Sequence, residues 1–142
     1  MTEENLRSYA DFFETLDRDS LTRLSEVMTE DIRFKDPFND VTGIEDTAKI
    51  FSHMFENLGD PRFSVTDFAI ASGDPSRGFL LWQLTATLRN KPYRISGMSE
   101  VRISADGRIS LHIDHWDAAQ QFYEHLPLVG GLLRTIRSRL KI

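Results

Sequence analysis

Three chain breakers, Gly73-Asp74-Pro75, Asn90-Lys91-Pro92 and Ala105-Asp106-Gly107, divide the second half of this chain into four runs whose hydrophobicity alternates with a period of two. The runs cover residues 62–72, 78–89, 93–104 and 108–117. Consecutive short turns imply that each run pairs antiparallel with the next, giving a four-stranded meander. Its register is strongly specified, because a slip of one residue would turn every apolar side chain to the wrong face. Everything upstream has to supply the layer that covers such a sheet.

The first half does read as helices. Leu6, Tyr9, Phe12, Phe13 and Leu16 recur at spacings of three and four and predict an amphipathic helix over 3–17. Asp19 or Ser20 is placed to cap a second, short helix through Leu21, Leu24, Val27 and Met28, ending near Thr29. Ile32 to Phe38 alternates and is stopped by Pro37, so Phe34, Asp36 and Phe38 are expected to point the same way. After a turn through Asn39, Asp40 and Gly43, residues Ile44 to Leu58 form a third amphipathic helix, closed by Gly59 and Pro61. Past the last strand, a short helix before Pro127 and a terminal one over Leu132–Ile142, after Gly130-Gly131, are predicted.

The last run, Arg108-Ile-Ser-Leu-His-Ile-Asp-His-Trp-Asp117, carries the chemistry. Alternation puts His112, Asp114 and Trp116 on one face and Leu111, Ile113 and His115 on the other. A histidine and a carboxylate two residues apart on an apolar face suit a pocket wall. The pair could supply a general acid and a general base, or simply pair with each other and fill a polar hole in the sheet. Asp36, framed by Phe34 and Phe38, is a further candidate base, although an aspartate before proline also commonly starts a turn.

Composition removes several function classes. The chain has 142 residues, enough for one domain with a genuine core, and no cysteine, so there is neither a disulfide framework nor a thiol nucleophile. The acidic N-terminal stretch lacks the layout of a signal peptide and no apolar run is long enough to span a bilayer, so a cytoplasmic protein is expected. A formal net charge of -5 argues against nucleic acid as partner. His112 and His115 face opposite ways and no helical histidine pair exists, so no metal site and no cofactor is expected.

The order helix, helix, short strand ending in Asp-Pro, helix, four antiparallel strands resembles the nuclear transport factor 2 superfamily, in its SnoaL-like and ketosteroid-isomerase-like branch. The resemblance covers nearly the whole chain and rests on Phe34-Lys35-Asp36-Pro37-Phe38, Gly43, Trp82 and His112-Ile113-Asp114-His115-Trp116-Asp117. It implies a single α+β domain over 1–142, with 118–142 as a helical extension. The implied form is a cone: a strongly curved antiparallel sheet wrapped around N-terminal helices, a cystatin-like roll with an apolar interior, commonly in a homodimer. Relatives include isomerases, polyketide cyclases and epoxide hydrolases, while others only bind.

By this resemblance Asp36 matches the proton-shuttling aspartate of ketosteroid isomerases. The tyrosine and the protonated aspartic acid that those enzymes aim at the dienolate oxygen correspond, in a gapless alignment, to Phe12 and Ser99. An efficient ketosteroid isomerase is therefore disfavoured. Two readings stay open. In the first, Asp36, His112 and Asp114 carry out proton transfer or water addition on a steroid-, polyketide- or terpenoid-like substrate, within walls formed by Phe12, Phe34, Phe38, Phe51, Met54, Trp82, Ser99 and Trp116. In the second, the same scaffold is a noncatalytic binding or carrier module. Alternation along 81–87 suits sheet-to-sheet pairing and a homodimer. The basic, amphipathic stretch 132–142 is expected to cap the cone or a dimer mate, with contact to an anionic membrane as the less favoured reading.

Overall fold

The structure is a computed structural model and describes residues 1–141. Helix α1 (Glu3–Glu14) begins at a reciprocal cap, in which the Thr2 hydroxyl accepts from the Asn5 N–H and the Asn5 amide oxygen accepts from the Thr2 N–H. Its apolar stripe, Leu6, Tyr9, Ala10, Phe12 and Phe13, is buried. The second helix is a run of 3-10 turns over Ser20–Glu26, and Met28 already belongs to the following strand. Neither expected cap forms there in the expected way. Asp17 accepts from the Ser20 N–H at 2.7 Å while Ser20 Oγ accepts from the Asp17 N–H at 2.9 Å, so the chain is tied one turn earlier.

Strands β1 (Met28–Lys35) and β2 (Asp40–Thr42) form a hairpin, braced by Arg33 on Asp40 at 2.9 and 3.0 Å. Helix α2 (Ile44–Asn57) follows, and then β3 (Gly59–Ile70), β4 (Arg77–Leu88), β5 (Lys91–Ile103) and β6 (Ile109–His115). The meander has the expected order and pairing, except that Gly59 and Pro61 lie inside the first strand instead of before it, and Lys91 and Pro92 lie inside the third instead of in the turn. One feature departs from an all-antiparallel sheet: β1 joins the edge of β6 in parallel, with Phe34 beside His112, giving the order β2-β1-β6-β5-β4-β3. The sheet is curved and unclosed, with register shifts in β3 and near the end of β5 of the kind that bend strands.

The concave face packs on α1 and α2. Leu80, Trp82 and Leu84 from β4, Tyr93, Ile95 and Val101 from β5, and Phe34 from β1 meet Tyr9, Phe13 and Phe51 in one core. Leu81, Gln83, Thr85 and Thr87 alternate with these and face outward. Gly97 is required by this packing: a Cβ there would stand 2.6 Å from the Trp82 ring and 3.0 Å from Trp116 Cβ.

Beyond β6 the chain forms α3 (Ala118–Gln121), a 3-10 turn at Tyr123–His125, and α4 (Val129–Leu140). Gln121 fastens this extension to β5. Its side-chain oxygen accepts from the Ser96 N–H at 2.7 Å and its side-chain nitrogen donates to the Ser96 carbonyl at 3.0 Å, while Tyr93 donates to the Gln121 carbonyl at 2.6 Å. Since β6 reaches only to Met98 of β5, the Gln121 amide takes the place of a strand at the uncovered edge. The terminal helix starts before Gly130-Gly131, which sit in its first turn instead of preceding it, and it leans on the 3-10 turn instead of capping the cone. The expectation for residue 142 lies outside the described residues.

Candidate functional site

His112 and Asp114 stand next to each other on the concave face of β6, as alternation requires, and Asp114 pairs across the ladder with Ser99 of β5. Five side chains meet there. His112 Nε2 lies 2.8 Å from Asp114 Oδ1, and Ser99 Oγ donates to the same oxygen at 2.5 Å. Trp82 Nε1 donates to Ser99 Oγ at 2.8 Å. On the other side of the imidazole, Nδ1 is 2.8 Å from the hydroxyl of Tyr9, on α1. His112 is buried, with the Phe34 ring stacked on it at 4.8 Å.

The direction of these bonds follows from what each group can do. An indole N–H only donates, so Ser99 accepts from Trp82 and spends its own proton on Asp114. Burial, and secondarily the charge of Asp114, push the Tyr9 phenol well above its usual range, so Tyr9 keeps its proton. No second acceptor for that proton is found among the described residues, so Tyr9 donates to Nδ1 and the imidazole carries its hydrogen on Nε2, toward Asp114. Every donor in the chain is thereby used. Asp114 Oδ1 takes two of them, whereas Oδ2 has no protein partner among the described residues, and Asp114 borders a neighbouring space.

That space is walled by Phe13, Phe51, Phe63, Val65, Leu80 and Trp82, with Ser99, His112 and Asp114 as its polar side, and its volume is about 20 Å³. A void of this size holds about one water molecule. Among the described residues this space does not widen to steroid dimensions, because the rings of Phe13, Phe63 and Phe51 pack together in the interior of the cone.

The structure brings together His112, Asp114, Ser99, Trp82 and Phe51 from the sequence-predicted set, with Phe34 supporting the imidazole. It does not bring in Asp36. The strand ends at Lys35, and the Asp36 carboxylate accepts from the Phe38 and Asn39 N–H groups at 2.7 Å and from the Asn39 amide at 3.1 Å. It closes a turn and lies outside the wall of the cavity, and the expectation that Phe34, Asp36 and Phe38 point together fails with it. Phe34 is 1 % exposed and Phe38 47 %; the latter joins Trp116, Phe122 and Tyr123 in an aromatic cluster near the C-terminal extension. Phe12 is buried against Phe13 and Met54 is half-buried against the core, and neither lines the space.

Tyr9, Phe13 and Phe63 were not singled out by sequence as site residues. Their signal was present for Tyr9, which shares the buried stripe of α1 with Phe12. The first helix does bring a phenol to the site, one turn before the position that a gapless alignment selects, and it is spent on His112.

Among proteins of curated function none matches this chain. Solved structures of similar shape exist at low identity. An NTF2-like protein of unknown function from Exiguobacterium sp. 255-15 superposes with a TM-score of 0.68 at 17% identity, over 80% of this chain and 98% of that one. An LEH-like epoxide hydrolase of Mycobacterium tuberculosis gives 0.69 at 18% identity, over 99% and 96%. A protein with a ketosteroid isomerase-like fold from Catenulispora acidiphila DSM 44928, solved in complex with trimethylamine, gives 0.68 at 13% identity, over 85% and 91%. These likenesses establish the fold. The pattern of the SnoaL-like domain matches residues 9–112, from the tyrosine of the hydrogen-bonded chain to its histidine, and the chain belongs to the SnoaL-like domain family.

Proposed function

We propose that this protein binds a compact apolar small molecule in the cone, with the rings of Phe13, Phe51 and Phe63 moving aside to enlarge a space that now holds about one water, and that Asp114 removes a proton from the bound molecule as a general base. The observation that carries this reading is the asymmetry of one carboxylate on the wall of the apolar space: Asp114 Oδ1 is held by His112 and Ser99, while Oδ2 has no protein partner among the described residues. A base fixed in this way keeps its orientation and presents one lone-pair face.

The same network narrows the chemistry. Tyr9, His112, Ser99 and Trp82 have all directed their hydrogens within the chain, so among the described residues the wall offers no free donor to an oxygen that gains charge. Missing such donors typically costs on the order of 10² to 10³ in rate each for reactions that depend on them. Substrates that delocalise their own negative charge, such as activated ketones of the polyketide type, fit this wall better than an unactivated ketosteroid. Water addition to an epoxide, which needs a proton for the departing oxygen, fits it less well.

Deuterium exchange at the benzylic α-carbon of 2-tetralone, followed by proton NMR, tests the proposal. The protein is expected to accelerate exchange, and Asp114→Asn to reduce the acceleration by about 10² or more while retaining binding of the ketone measured by Trp82 fluorescence. Acceleration that persists in Asp114→Asn would contradict the proposed base. Binding without any acceleration would support a carrier.

A further inference from the structure

Helix α4 turns its apolar face away from the molecule. Gly130, Arg134 and Arg137, spaced by four and three, form the side that meets the body: a Cβ on Gly130 would collide with the Glu124 carbonyl, Arg134 donates to that carbonyl, and Arg137 pairs with the buried Glu124 carboxylate at 2.8 and 2.9 Å. Val129, Leu132, Ile136 and Leu140, spaced by three and four, form another side, and all are exposed, Leu132 at 63 % and Leu140 at 79 %. Leu128, in front of the helix, is 94 % exposed. Monomeric proteins rarely leave such a ridge uncovered. The helix is held in this attitude, because the polar side is locked to Glu124.

Charge identifies what would cover the ridge. From Leu126 to Lys141 the chain has four cations, Arg134, Arg137, Arg139 and Lys141, and no acidic residue, although the whole chain is acidic. On a helical wheel Arg139 falls beside Leu132, so a cation borders the ridge and Lys141 follows at its end, while Arg137 is already paired with Glu124 on the side that meets the body. A second α4 packed on this ridge would bring like charges together. An anionic lipid surface satisfies both features at once, taking the leucines among its acyl chains and the cations among its headgroups.

We infer that α4, with Leu128 leading into it, is a membrane-surface helix that lays Val129, Leu132, Ile136 and Leu140 on an anionic lipid bilayer. It lies in the interface and does not cross: no helix of the described residues is long and apolar enough to do so. The inference is independent of the role of Asp114. It also reverses the order of the two readings that sequence gave for this segment.

Flotation of the full chain with vesicles tests it, comparing phosphatidylcholine alone with phosphatidylcholine containing phosphatidylglycerol. Binding is expected to be at least about tenfold tighter to the mixed vesicles and to weaken as salt is raised. The pair Leu132→Asp and Ile136→Asp should abolish binding, and the pair Arg139→Gln and Lys141→Gln should reduce it about tenfold. All four side chains are exposed, so circular dichroism and Tm should stay unchanged, which separates lost docking from lost folding. Equal affinity for the two kinds of vesicle, or binding that survives the aspartate pair, would overturn the inference. So would self-association in the absence of lipid that the aspartate pair abolishes, since the ridge would then belong to a second copy.

Discussion

A buried phenol sets the protonation of the site. Tyr9 is pushed well above the ordinary phenol value by burial and then by Asp114, and Tyr93 is pushed up to about 12 by burial. In the unfolded chain both would lose their protons near pH 10. The folded state holds these protons more tightly, so their contribution to stability is fully present below about pH 10 and is lost as pH rises through the folded values. Thermal melts should show Tm falling above pH 10, with a shallower fall in Tyr9→Phe. That variant also leaves His112 Nδ1 without a donor, which should cost about 1–3 kcal/mol at neutral pH in a urea titration. A variant as stable as the wild type would show that Tyr9 is not the partner of His112. Alternation alone predicted that His112 and Asp114 share a face, because a period of two leaves no other choice. Tyr9 was out of its reach: sequence fixes the buried stripe of α1 but not how far the helix slides along the sheet, and one turn separates Tyr9 from Phe12.

At the scale of elements, the close contact between strands β4 and β5 at Gly97 deserves a direct test. Its missing Cβ lets Trp82 lie flat enough to reach Ser99, so Gly97→Ala should displace the indole and destabilise the protein by about 1–3 kcal/mol, the usual range for an overpacked core. The indole fluorescence should shift with it. An unchanged spectrum and melting curve would mean that the sheet absorbs the extra methyl elsewhere. The meander was legible because breakers and alternation are local properties. The parallel seam between β1 and β6 was not, since the two strands are far apart in sequence and nothing local marks them as neighbours. Asp36 was misplaced for a related reason: Pro37 signals that the strand stops, but the strand ends two residues before it, and the carboxylate turns back to bind the backbone.

For the whole molecule, the two faces of the curved sheet differ in what they present. The convex side of β4 and β5 carries Leu81 and Met98 side by side, 49 % and 38 % exposed, which fits the proposal of a homodimer formed sheet to sheet. Under that proposal the wild type is expected to give the mass of two chains by sedimentation at micromolar concentration, and Leu81→Lys combined with Met98→Lys the mass of one. The concave side carries the proposed base, Asp114, while Asp36 lies outside the cavity, spent on a turn. This contrast is the centre of the account, and one comparison tests it: the rate of ketone deuterium exchange in Asp36→Asn and in Asp114→Asn, measured side by side. Asparagine can still close the turn at residue 36, so Asp36→Asn should keep the wild-type rate within about threefold while Asp114→Asn loses about 10²; the reverse ranking would contradict the account.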